Sequence, residues 1–138
     1  MLNHPETFYG SPPAGYDGLF DWDFLKKAGC FGDTNIEPMD LDGIVERKGR
    51  FLVFETKNPG VEIPKGQEIT LRALARTELF TVFLIQGKRP GEFTSLEIWD
   101  GPGNKTYGPM SADEDTIIYN TAAWFRWADN RGASYELR

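Results

Sequence analysis

Lys48-Gly49 stands between two apolar runs, Ile44-Val45 and Phe51-Leu52-Val53-Phe54, within the polar stretch Glu46–Arg50. Glycine supplies the positive φ that a tight hairpin turn requires. A two-residue loop here fixes a register: Arg47 faces Arg50, Val45 faces Leu52, Asp42 faces Glu55 and Asp40 faces Lys57. Directly opposed residues share a face, with Cβ atoms about 4.5–5.5 Å apart. Strand alternation keeps Glu55 and Lys57 together and turns Thr56 to the other side. The hairpin thus gathers Asp40, Asp42, Glu55 and Lys57 at its open end. A three-residue loop would move Asp42 off Glu55 and flip the faces.

Carboxylates this close repel, and one takes up a proton unless a cation neutralises them. Hard oxygen donors suit Mg²⁺, Mn²⁺ or Ca²⁺. Mg²⁺ in particular keeps several waters, takes one or two carboxylates and completes its shell with substrate phosphate. A lysine beside such a cation can orient or deprotonate the attacking water, or stabilise charge on the phosphate. The chemistry implied is metal-assisted hydrolysis of a phosphodiester. The competing explanation is an Asp40–Lys57 cross-strand ion pair on a solvated sheet. However, Phe51–Phe54 is apolar without alternation, which predicts a strand buried on both faces. Charges ending a buried strand call for a reason that charges on a surface hairpin do not.

Downstream, Asn58-Pro59-Gly60 breaks the strand, and Pro64 or Lys65 opens a helix to about Thr77. At about 100° per residue, Gln67, Leu71 and Leu74 fall on one side of this helix and Lys65, Arg72 and Arg76 on the other. Gln67 is therefore expected to face inward, where its amide needs partners. Leu79–Ile85 reads as a buried strand ended by Gly87. Strand, helix and strand in this order predict a right-handed crossover between parallel strands. Upstream, Leu19–Lys27 reads as a helix, with Asp17 as its cap, Lys26 and Lys27 in its last turn and Gly29 as its stop.

Asp42, a 12-residue gap, then Glu55-Thr56-Lys57 at the end of an apolar strand resembles the PD-(D/E)xK nuclease superfamily. Pro38-Met39-Asp40 is a loose echo of the Pro-Asp element. The resemblance spans about Leu19 to Gly87. It implies an α/β fold with a restriction-endonuclease-like core: a mixed sheet with a hairpin and a β-α-β crossover, flanked by helices. It also implies that Asp42, Glu55 and the Thr56 backbone carbonyl hold Mg²⁺ or Mn²⁺, with Asp40 as a further candidate ligand. Lys57 would be the catalytic lysine. Gln67-Glu68-Ile69-Thr70-Leu71 looks like a variant of the family's Gln-x-x-x-Tyr element, which makes Gln67 a positioning group for water or phosphate. A structural Gln67 bonded to the loop Asn58–Gly60 is the alternative. The family often adds an acid from its first helix, for which Asp21 and Asp23 are candidates, as is Glu37 in the loop. In one respect the chain departs from the pattern. The family places three strands between its two helices, and the short, polar stretch Cys30–Met39 would have to supply the first. The activity implied is DNA cleavage, endonuclease rather than exonuclease, by a small stand-alone protein of the kind that phages carry. The rival expectation is a binding module that keeps the fold without the chemistry.

A chain of 138 residues with 40% hydrophobic content is expected to bury one core, as a single domain with an irregular N-terminal arm through Gly18. Its single cysteine, Cys30, excludes an internal disulfide and is expected to be packed. No apolar run reaches a membrane span and no signal peptide is evident, so a cytoplasmic protein is expected. The net charge of −6 opposes tight DNA binding. The bases are nevertheless concentrated, with Arg47, Lys48 and Arg50 in the hairpin turn, Lys65, Arg72 and Arg76 on the helix, and Lys88 and Arg89 after the last core strand. Weak, salt-dependent DNA affinity follows, or delivery by a partner protein or a homodimer. In the last third, Phe93–Trp99 reads as an outer strand and Asp100–Pro109 as a loop. Ser111-Ala112-Asp113-Glu114 reads as a capping box opening a helix to about Asn130. Trp124 or Trp127 beside Arg126 could stack on bases, core packing being the other reading.

Overall fold

The computed structural model describes residues 21–89 and 91–130. The described residues divide into two compact units, the first ending at Asp40 and the second beginning at Leu41. In the first, α1 (Asp23–Lys27) carries Asp23 in its first turn and Lys26 and Lys27 in its last. Gly29, at φ 78°, lets the backbone turn out of the helix. The Gly29 amide donates to Lys26 O and the Cys30 amide to Leu25 O, which satisfies two carbonyls of the last turn. Asp17 and Leu19 lie outside the described residues. Two expectations are corrected in this unit. Cys30 is exposed rather than packed. Cys30–Met39 forms no strand, because the segment is polar and has no apolar alternation with which to bury a face.

In the second unit, β1 (Gly43–Arg47), β2 (Arg50–Lys57), β3 (Phe80–Gly87), β4 (Phe93–Asp100) and β5 (Lys105–Ser111) form one sheet in that order. The β2–β3 pair is parallel and the others antiparallel, so the architecture is α/β with a mixed open sheet. The hairpin register is the one set by Lys48-Gly49: Arg47 opposes Arg50, Val45 opposes Leu52 and Gly43 opposes Phe54. Both turn residues have positive φ, 51° and 82°, which matches the twist of the strands. The ladder ends at Gly43, so Asp42 and Asp40 both lie beyond the paired residues of β1. The regular strand pairing expected to reach Asp40 and Lys57 thus stops at Gly43 and Phe54.

Helix α2 (Lys65–Ala75) links the two parallel strands, and α3 (Glu114–Asp129) follows the sheet. Alternation sorts the side chains between these two helices. Leu52, Phe83, Ile85 and Leu96 form one core with Ile117, Trp124 and Ala128 of α3. On the opposite face, β2 presents Val53 and Glu55 beneath α2, whose Leu71 is fully buried. Burying a leucine of this kind contributes about 1.5–3 kcal/mol. It anchors the middle of α2 and so fixes Gln67 one turn earlier.

The C-terminal third differs from the sequence reading in two places. Lys105–Ser111 is an edge strand instead of a continuation of the loop. Gly108 and Pro109 read as breakers, but an edge strand tolerates a residue that donates no ladder hydrogen bond. The α3 cap is Asp113 with Thr116, each side chain meeting the other's backbone, and Ser111 remains in β5. Among the described residues, no helix is long and apolar enough to cross a membrane.

Candidate functional site

Glu55 ends the apolar part of β2 and is only 2% exposed. The preceding Leu52 and Val53 are fully buried, so the strand carries its carboxylate into the interior before reaching solvent. Lys57 lies two residues on, on the same face, with its Nζ 3.2 Å from Glu55 Oε1. From α2, Gln67 Nε2 donates to the same oxygen at 2.5 Å. Both donors converge on Oε1. Glu55 Oε2 is buried and meets no donor, and neither does the buried Gln67 Oε1. Rotating the Gln67 amide would not help, because its oxygen would then face a carboxylate.

Burial is the largest cause that raises the Glu55 pKa above 4.5, and the charge of Asp42 adds to it. Hydrogen bonding and charge from Lys57, then the hydrogen bond from Gln67, pull in the opposite direction. The net shift is upward, so these two donors do not offset the cost of ionising the site.

Asp42 adopts a bend just before β1. Its Oδ2 accepts from the Thr56 amide and the Thr56 hydroxyl, each at 2.8 Å. The carboxylate thereby locks the open end of the hairpin, which corrects the simple face-to-face placement of Asp42 against Glu55. Asp42 still lies near enough to raise the Glu55 pKa. Lys57 pairs with Glu55. Asp42, Glu55, Thr56, Lys57 and Gln67 are thus brought together. Asp21 accepts from the Asp23 amide at 2.9 Å and Asp23 pairs with Lys27 at 3.5 Å; these two acids and Glu37 belong to the first unit.

The donor chemistry suits a hard divalent cation. A buried carboxylate oxygen without a donor is what such an ion would satisfy, and Asp42 supplies a second carboxylate. No group of three or more His, Cys, Asp or Glu side chains able to hold a metal occurs among the described residues. A site here would therefore rest on at most two carboxylates, leaving positions for water and phosphate as Mg²⁺ prefers. The site also lies at the carboxyl ends of the parallel strands β2 and β3, where open α/β sheets bind ligands.

The bases expected on the hairpin turn are arranged differently. Arg50 is fully buried. Its guanidinium lies 3.5 Å from the Trp127 ring centroid, and Nη1 donates to Trp127 O at 3.3 Å. Arg47 pairs with Asp129, and Lys48 Nζ donates to Asp129 O at 2.6 Å. The carboxyl-terminal end of α3 thus neutralises the turn, as a helix's carbonyl end favours cations. The pairing with Arg47 in particular holds the Asp129 carboxyl below its ordinary range. Arg50 is a core residue and not a solvated base. Trp124, expected as a candidate base-stacking residue, is buried at 6% exposure.

On α2, Lys65 and Arg76 are exposed, while Arg72 lies over Trp99 with 3.6 Å between guanidinium and ring centroid. Sequence reasoning missed Trp99 and Lys105 as neighbours of these bases. The signal lay in the helical spacing of Arg72 and Arg76, but β5 was needed to bring Lys105 beside them. Comparison of the chain with protein-family models, with curated proteins and with solved structures returned no significant match.

Proposed function

We propose that this chain is a metal-dependent deoxyribonuclease of the PD-(D/E)xK type that hydrolyses phosphodiester bonds with Mg²⁺ or Mn²⁺. One observation carries the reading: Glu55 is buried at the carboxyl end of a parallel strand with one oxygen lacking a donor, while Lys57 and Gln67 hold the other. A fold gains nothing in stability from such a carboxylate, because a buried unsatisfied polar group costs about 1–3 kcal/mol.

Asp42 and Glu55 would hold the cation, together with the backbone carbonyl of Thr56, the residue between Glu55 and Lys57. The bound metal would supply Lewis-acid activation of water and of the phosphate. The chain's own residues do the rest. Glu55 fixes the Lys57 ammonium through its Oε1. Lys57, a quarter exposed, reaches from the buried carboxylate toward solvent. There it can hold the attacking water and offset negative charge developing on the phosphoryl oxygens. Gln67 holds Glu55 in one rotamer and keeps an oxygen able to accept from water.

A second reading is a binding module that keeps this arrangement without cleaving DNA. The observation favouring it is that Asp42 Oδ2 already accepts two hydrogen bonds from Thr56. Assays of plasmid, linear and branched DNA with Mg²⁺ and Mn²⁺ separate the two. Cleavage that is lost in Lys57→Ala and in Asp42→Ala, both still folded, supports the nuclease. Metal binding without cleavage of any substrate supports the binding module.

A further inference from the structure

At the far end of α2 from Glu55, three bases converge, and none of them is within ion-pair distance of a carboxylate among the described residues. Arg72 and Arg76 of α2 and Lys105 of β5 line a cleft of about 210 Å³ together with Trp99, Asn104 and Thr106. Among the described residues, none of the three makes an ion pair. Asp100 also lines the cleft and opposes Lys105 across the ladder. Its Oδ1 accepts from the Gly103 amide at 3.1 Å, and it pairs with none of these bases. In a chain of net charge −6, acids for pairing are abundant, yet these bases have been left without them. Three like charges around one cleft repel unless an anion joins them.

The cleft is also built. The Arg72 guanidinium stacks on Trp99, which is 3% exposed and whose Nε1 donates to Glu97 at 2.6 Å. Stacking fixes the plane of the guanidinium while its N–H edge remains able to donate. On the other side, a Cβ at Gly101 would lie 2.2 Å from both Thr77 O and Phe80 O. Only glycine permits that approach. It pins the β4–β5 turn to the start of β3 and so holds Lys105 beside the end of α2. The carbonyl end of a helix disfavours anions, so side chains alone must hold the ligand here.

We propose that this cleft holds a backbone phosphate of the nucleic-acid strand cleaved at Glu55, an inference that rests on the nuclease reading. From Gln67 to Arg76 the helix rises nine residues, about 13 Å, which at about 3.4 Å of axis per phosphate corresponds to roughly four phosphates along one strand. The substrate is accordingly a strand that runs the length of α2, and a mononucleotide would not span it.

The test is fluorescence anisotropy of labelled single-stranded and duplex DNA in EDTA over a salt series, which reads binding apart from cleavage. It uses the wild type, Arg76→Gln, Lys105→Gln, their double variant, and Lys26→Gln as a control surface base. Arg76 and Lys105 are exposed, so the fold is expected to survive, and circular dichroism verifies it. The double variant is expected to bind DNA at least tenfold more weakly at low salt. On a single strand, the slope of log K against log salt should fall by about 0.7 for each phosphate that is no longer neutralised. Lys26→Gln should change neither. Affinity and slope unchanged in the double variant would overturn the proposal, as would a wild type that binds no DNA. A wild type that binds inorganic phosphate as tightly as the oligonucleotide would make this a free-anion site and also overturn it. If the double variant behaves as expected while cleavage proves independent of Asp42 and Lys57, the cleft stands and the nuclease reading falls.

Discussion

The Gln67 Nε2 donates to Glu55 Oε1 at 2.5 Å, while Glu55 Oε2 and Gln67 Oε1 are both buried without a donor. This pairing joins α2 to the end of β2 and leaves two acceptors facing no hydrogen. A structural pair would be expected to satisfy its own oxygens, since buried polar groups in folded proteins rarely go unpaired. The arrangement instead has the form of a site prepared for something that binds oxygen.

Replacing Glu55 is therefore expected to stabilise the fold. Its folded pKa lies above 4.5, mainly through burial. Between 4.5 and the raised value the folded chain keeps a proton that the unfolded chain has lost, so stability falls as pH rises through that window. Glu55→Gln should raise the stability at neutral pH by about 1–3 kcal/mol, with the gain fading below about pH 4.5. Urea unfolding at several pH values measures this. A loss of stability at neutral pH would mean that the carboxylate is structural.

Lys57 lowers the Glu55 pKa through a hydrogen bond and through charge. Lys57→Met removes both and should push that pKa further up. Cleavage should fall by about 10²–10⁴-fold, the usual contribution of a positioned acid–base group. Circular dichroism should show an intact fold, and a pH titration of Glu55 by NMR should show the further rise.

Gln67→Glu places a second carboxylate against Glu55. Like charges at this distance cannot both ionise readily. The variant should be less stable than the wild type at neutral pH and should recover as the pH falls toward 4, as seen in thermal melts across pH. Gln67→Leu should behave differently, since it removes one buried unsatisfied oxygen and one donor together, and its stability should lie within about 1 kcal/mol of the wild type.

Arg50→Ala tests the corrected role of the hairpin turn. Removing a fully buried side chain packed on Trp127 leaves a cavity and frees the Trp127 carbonyl. Destabilisation of about 2–5 kcal/mol is expected from such a truncation. The salt slope of DNA binding should be unchanged, because this guanidinium is not exposed to a phosphate. A reduced slope in a folded Arg50 variant would restore it as a DNA-binding base.

How far these features could be read from the sequence depended on whether the signal was local. The hairpin register followed from Lys48-Gly49 because turn chemistry acts between neighbours, and Gln67 followed from the helical period. Arg50 could not be placed in this way. It sits in a polar turn, and only α3, some 77 residues later, supplies the Trp127 ring and carbonyl that make its burial tolerable. The same long-range packing determines Lys105, whose cleft forms only when Gly101 brings β5 against the end of α2. For Asp42 the register showed its neighbourhood to Glu55 but not its hydrogen bonds. Strand alternation pointed it at Glu55, while the bend preceding β1 turned its carboxylate onto the Thr56 amide and hydroxyl.

The most direct test of the site is a calorimetric titration of Mn²⁺ into the wild type and into Glu55→Gln. One Mn²⁺ should bind per wild-type chain, and Glu55→Gln should abolish the binding. No heat from the wild type up to about 10 mM Mn²⁺, well above the weakest protein sites for divalent ions, or equal binding by both proteins, would contradict Glu55 as the residue around which this site is built.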